Sequence, residues 1–199
     1  MAAKVKGLTS GAMIVGLGLA TGCDRVLVGG AWRHFKGRHH GAEADIIMPV
    51  VEVRAEKELT PELDVYLSGQ LVVGRSNDQD YFLRIEGEGR FESLGFGFDY
   101  YPFKTRLIGL EVQALEIFHA KYDATGKWWI FSLRERDEFS GSGARVGLTG
   151  EFPSLPKDTC QLVWFGGYNF TNTNIGRGHI DVDLDGWYVG AGLQFPFGN

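Results

Sequence analysis

The chain has 199 residues, 20 Lys and Arg against 25 Asp and Glu for a formal net charge of -5, and 29 glycines, with 44% hydrophobic and 13% aromatic residues. That length suits one domain built on one closed sheet, and the acidic balance with scattered cations argues against a nucleic-acid partner, which needs a massed basic face. A mean hydropathy of -0.11 excludes a bundle of membrane helices but not a membrane barrel, whose alternating strands average out in any hydropathy window.

Met1 to Cys23 reads as an export signal. Lys4 and Lys6 give a positive start, and Leu8 to Ala20 is apolar but too short and too Gly-rich to span as a helix. Leu19-Ala20-Thr21-Gly22-Cys23 then resembles the lipobox of bacterial lipoproteins, with Ala20 standing where Leu is usual. The resemblance implies removal of residues 1–22 and lipidation of Cys23, leaving a single β-barrel domain over 23–199. An ordinary signal peptide cleaved nearby would instead leave Cys23 a bystander. Cys160 is then either a lone thiol or the partner in a Cys23–Cys160 disulfide, which an exported compartment permits and the spacing does not demand.

Beyond Cys23 no helical period exceeds two turns, and turn chemistry separates about ten strand-like runs. They lie near residues 25–35, 46–57, 62–74, 80–91, 93–103, 106–122, 127–136, 142–152, 159–171 and 182–197. In the third run Leu63, Val65, Leu67, Leu71 and Val73 oppose Asp64, Tyr66, Ser68 and Gln70. In the fourth, Tyr81, Leu83, Ile85 and Phe91 oppose Arg84, Glu86, Glu88 and Arg90. Leu94, Phe96, Phe98 and Tyr100 then oppose Ser93, Gly95, Gly97 and Asp99. Near 142–152, Ala144, Val146, Leu148 and Phe152 oppose Arg145, Thr149 and Glu151. The last run is the most informative. Trp187, Val189, Ala191, Leu193, Phe195 and Phe197 form an unbroken apolar face, aromatic at both ends and long enough to cover the hydrocarbon of a bilayer.

Two-faced strands of this kind fit two inverted architectures. A soluble calyx points its apolar face inward around a ligand, and a membrane barrel points it outward to lipid. Three features favour lipid: mixed charge signs on the polar faces, their many glycines, and aromatics near strand ends. Phe96-Gly-Phe-Asp-Tyr-Tyr-Pro-Phe103 and Gly186-Trp-Tyr-Val-Gly-Ala-Gly-Leu-Gln-Phe195 also resemble small bacterial outer-membrane β-barrel proteins of the opacity and adhesin/OmpX-like general type. The expectation is an all-β, antiparallel up-and-down barrel of eight to ten strands. Arg84, Glu86, Glu88, Arg90, Glu111, Arg145 and Glu151 are its candidate lumen charge network. Phe91, Tyr100, Phe152, Trp164, Trp187 and Phe197 are its candidate membrane girdle.

Candidate chemistry is sparse. Asp181-Val-Asp-Leu-Asp185-Gly186 opens like a calcium loop, but the twelfth position, where a bidentate Glu belongs, is Gly192. An acidic strand edge is the plainer reading, and no metal or cofactor is expected. His34, Lys36, Arg38, His39 and His40 form a basic loop suited to lipopolysaccharide phosphates. Barrel enzymes that deacylate lipid A use a His and a Ser one residue apart on a strand, and no His-x-Ser occurs here. His119 is the best-placed strand histidine, on the run that carries Glu111 and Gln113, without a neighbouring Ser or Thr. The reading is therefore a non-enzymatic outer-membrane barrel in contact with membrane lipid and lipopolysaccharide. Its specificity is carried by loops such as 36–45 and 172–181. A lipid-anchored periplasmic calyx binding a lipid or small ligand is the alternative, and a lipid A-modifying enzyme a lesser one.

Overall fold

Alternation with a period of two is the local instruction throughout, and the backbone follows it into long antiparallel strands. The computed structural model describes residues 22–39, 42–79, 84–103, 105–128, 131–152, 160–174, 181–183 and 185–197. Side-chain surroundings are described for 22–34, 47–71, 90–103, 105–119, 121, 140–152, 160–172 and 185–197. The strands are β1 (Arg25–His39), β2 (Ala42–Thr60), β3 (Leu63–Gln79), β4 (Arg84–Tyr100), β5 (Gly109–Trp128), β6 (Phe131–Phe152), β7 (Gln161–Asn174), β8 (Asp181–Asp183) and β9 (Gly186–Pro196).

Consecutive strands from β1 to β7 pair with one another, and β9 closes the sheet by pairing with both β7 and β1. The short β8 pairs with β1 at Lys36 to Arg38 and continues the line of β9, so the described strands form an eight-stranded closed barrel. The ten runs of the sequence become eight because two pairs of runs join, 80–91 with 93–103 in β4 and 127–136 with 142–152 in β6.

A path across the ladders from Thr149 through Phe165, Gly190, Ala31, Val50, Val72, Phe91 and Ala120 returns to β6 at Phe139, ten residues from its start. Eight strands with that stagger tilt by about 40° and leave a lumen that side chains fill.

Outside, the wall is apolar. Val28, Trp32, Val51, Leu94, Phe96, Ile117, Val146, Leu148, Val189 and Leu193 are all exposed, Trp32 by 55%. Inside, Arg33, Glu52, Arg54, Asp64, Glu111, Glu116 and Arg145 are buried. This is the polarity of a barrel in lipid, because in water such an exterior would associate. It overturns the calyx, which requires the apolar face within. From Trp187 to Phe195 the outward face covers about 26 Å of strand, or about 20 Å of height at that tilt, close to an outer-membrane apolar band.

Candidate functional site

The middle of the lumen holds an electroneutral quartet. Arg54 Nε meets Glu52 Oε1 at 2.5 Å, and Arg54 Nη2 meets Glu111 Oε1 at 2.7 Å. Arg145 Nη2 lies 2.9 Å from Glu52 Oε1 and 2.9 Å from Glu111 Oε1. The hydroxyls of Tyr66 and Tyr188 donate to Glu111 at 3.2 and 2.9 Å, and the Gln70 amide donates to Glu52 at 2.9 Å. Rings complete the enclosure. The Arg54 guanidinium lies 4.6 Å from the ring centroids of both Tyr66 and Phe165, and that of Arg145 lies 4.8 Å from Tyr188. Two cations and two anions taken from water are tolerated here because each is paired and hydrogen-bonded.

Two further clusters extend this plug. Toward the far end, Arg33 makes a bidentate pair with Glu116 at 2.9 and 3.2 Å, donates to Gln70, and sits 4.9 Å from the Phe91 ring. Phe91 in turn packs on Phe118 at 5.3 Å. At the end where β1 begins, Arg25 meets Asp64 at 2.6 Å and Glu151 at 3.5 Å. Arg106, from the turn between β4 and β5, pairs with Asp64, with Glu151 at 2.9 Å and with Glu58 at 3.1 Å, and stacks on Tyr101. Burial, with the like charge of Arg25 beside it, pulls the Arg106 guanidinium down from its ordinary value. Burial and nearby carboxylates push the Tyr101 phenol up.

The sequence-predicted residues distribute unevenly. Glu111 and Arg145 lie in the quartet and Glu151 in the cluster at the β1 end. Arg84, Glu86 and Glu88 stand on β4, with side chains outside the described residues. Arg90 and Phe91 correct the expectation. Phe91 is 5% exposed and lies inside, while Arg90 lies on the outer face, 38% exposed and ion-paired with Glu92. The apolar phase of the sequence switches between Phe91 and Leu94, but β4 pairs with β3 without a register shift from Arg84 to Tyr100. Strict alternation therefore puts Phe91 with Ser93 and Asp99. His119 departs for the opposite reason. A bulge between Gln113 and Glu116 reverses the facing of β5, so Glu111 and Gln113 point in and His119 points out.

Of the girdle candidates, Tyr100, Phe152 and Trp187 are exposed on the outer wall, and Trp187 stacks on His34 with centroids 5.6 Å apart. Trp164 is half-buried on β7, and Phe197 follows β9, donating its N–H to the Asp24 carbonyl at 2.7 Å. Trp32, Tyr168 and Phe170 are exposed there too and were not singled out, although each shares parity with its strand's apolar face. Glu52, Arg54, Arg33 and Glu116 were also missed. The alternation Val51, Val53, Ala55 against Glu52, Arg54, Glu56 was the available signal.

Asp181 and Asp183 stand opposite Arg38 and Lys36 across β8 and β1, and the Asp185 carboxylate accepts the Thr171 N–H and hydroxyl. His39 has its side chain, and His40 its whole placement, outside the described residues, as does the export segment through residue 21. Cys23 and Cys160 are not joined in a disulfide.

Among solved structures, the attachment invasion locus protein Ail of Yersinia pestis superposes with a TM-score of 0.56 at 16% identity, over 86% of this chain and 99% of that one. The fold is that of a small bacterial outer-membrane β-barrel. Ail in complex with the heparin analogue sucrose octasulfate gives 0.57 at 17% identity, over 86% of this chain and 99% of that one. A major outer membrane protein of Thermus thermophilus gives 0.50 at 12%, over 87% of this chain and 99% of that one. No protein-family model matches the chain, and no curated protein does.

Proposed function

We propose that this chain is a non-enzymatic protein of the bacterial outer membrane, a sealed barrel that holds a β-sheet above the membrane for surface interaction. The observation that carries this reading is the filled lumen. The Glu52, Arg54, Glu111 and Arg145 quartet occupies the axis, which leaves the barrel unsuited to conducting ions or enclosing a ligand.

Function then falls to what projects. The β3–β4, β4–β5 and β5–β6 ladders run on to Gln79↔Arg84, Arg84↔Lys127 and Trp128↔Phe131. The flanking described ladders stop at Val50↔Val72 and Ser140↔Asn174. The four strands β3 to β6 therefore run about 20 Å or more past those last cross-ladder pairs, and the β1–β2 hairpin, paired as far as His39↔Ala42, extends beside them. Ail was solved with a sulfated ligand, which makes a sulfated glycan a reasonable first probe here. The test compares the full chain in lipid nanodiscs with a variant whose β3 to β6 extension is shortened to Val72 and Ser140. Binding of a sulfated glycan or of host-cell surfaces should disappear with that extension while the barrel stays folded. Discrete ion conductance in planar bilayers, or a mass change in lipid A on incubation, would contradict the proposal.

Cys23 lies two residues ahead of β1, and an acyl anchor there would enter the leaflet at the barrel's terminal end. Mass spectrometry of the mature protein checks this, with Cys23→Ser expected to lose the added acyl mass.

A further inference from the structure

The outer face of β4 and β5 carries three registered rows where the apolar belt ends. Leu94 stands opposite Ile117, Glu92 opposite His119, and Arg90 opposite Lys121. The first row is exposed and apolar. The next two line an open cavity of about 210 Å³ on the outside of the barrel wall, formed by Arg90, Glu92, His119 and Lys121.

Like charges directly opposite one another on a sheet face are unfavourable. Glu92 pairs with Arg90, and register sets Glu138 across from Lys121. A phosphate carried in the plane of the leaflet, with its acyl chains along the exposed Leu94, Phe96, Leu115 and Ile117, meets the two cations where the apolar belt ends.

We propose that this cavity binds the phosphate of an outer-leaflet lipid, an inference that rests on the outer-membrane reading above. Arg90 offers a planar pair of donors, Lys121 a compact charge, and His119 a ring N–H. Glu92 holds Arg90 in place. The shared chemistry is an anionic phosphate on an acylated carrier, and lipid A and an anionic phospholipid are its two sources.

The experiment uses the full chain folded in detergent, with its heat-modifiable gel migration reporting the barrel. Native mass spectrometry then measures retention of lipid A, phosphate-stripped lipid A, phosphatidylglycerol and inorganic phosphate. The wild type should retain a phosphorylated lipid, and the two lipid arms identify which. The Arg90→Gln/Lys121→Gln double variant, relieved of its repulsion and still folded, should bind about tenfold more weakly or worse, the loss expected for charge-assisted hydrogen bonds. Lys121→Gln alone should weaken it in the same direction. Undiminished retention in the folded double variant or equal retention of phosphate-free lipid A overturns the site. Inorganic phosphate held as tightly as lipid overturns the lipid as its ligand. Membrane fractionation of cells is read separately. A chain absent from the outer membrane defeats the localisation without altering the retention measured in detergent.

Discussion

At the scale of single residues, the lumen charges set the stakes. Glu52 is fully buried and serves both Arg54 and Arg145. Glu52→Leu leaves two desolvated guanidiniums short of a counter-charge, at a cost of about 3–5 kcal/mol. Leu193→Ala on the outer wall loses only methylene transfer into lipid, about 2 kcal/mol, since lipid refills the space. Urea unfolding in lipid vesicles ranks the two, and the reverse order would contradict the inverted polarity of the barrel. Gly147 is a second sensitive point. A Cβ there would collide with the Gly166 carbonyl oxygen and with the Tyr188 hydroxyl, which bonds Glu111. Gly147→Ala should therefore destabilise by about 1–3 kcal/mol, the usual cost of overpacking, and weaken hydrogen-exchange protection along β6 and β7.

At the scale of elements, depth along a strand decides the outcome. Ala191 is at the middle of the outward face of β9 and Phe195 at its end. Ala191→Arg should cost about 2–4 kcal/mol and Phe195→Arg only about 0–1, the gradient expected across a bilayer. Equal costs in vesicle refolding would mean that no lipid surrounds β9. Elements also explain where the sequence was legible. The faces of β3, β6 and β9 followed from alternation, because each keeps one phase from end to end among its described side chains. β4 and β5 resisted for two separate reasons. In β4 the apolar phase changes while the backbone runs on, so Arg90 exchanges sides with Phe91. In β5 the backbone changes facing through a bulge, which no residue pattern near Ala114 announced.

At the scale of the whole molecule, Arg106 joins parts that are distant in sequence. From a turn it reaches Glu58 on β2, Asp64 on β3 and Glu151 on β6, and the Glu151 N–H donates to the Arg106 carbonyl at 2.8 Å. Arg106→Met should open the terminal end of the barrel while sparing the quartet. Hydrogen exchange should rise in residues 58–66 and 149–152, and protection around Glu52 and Arg145 should hold. Uniform loss across the barrel would mean that this contact is part of a single cooperative core.

The sequence alone determined that the chain is built of two-faced antiparallel strands, because alternation is a local property that each strand states by itself, and only the closed fold turned the apolar face outward. The sequence also placed Glu111, Arg145 and Glu151 on polar faces. The tertiary structure decided how many strands close, which charges meet, and where the apolar wall gives way to charge at Glu92 and His119. Those depend on register and stagger, which are relations between strands remote along the chain. Arg33 and Glu116 are 83 residues apart and Arg145 and Glu52 are 93 apart. Only closure of the barrel brings such partners within reach.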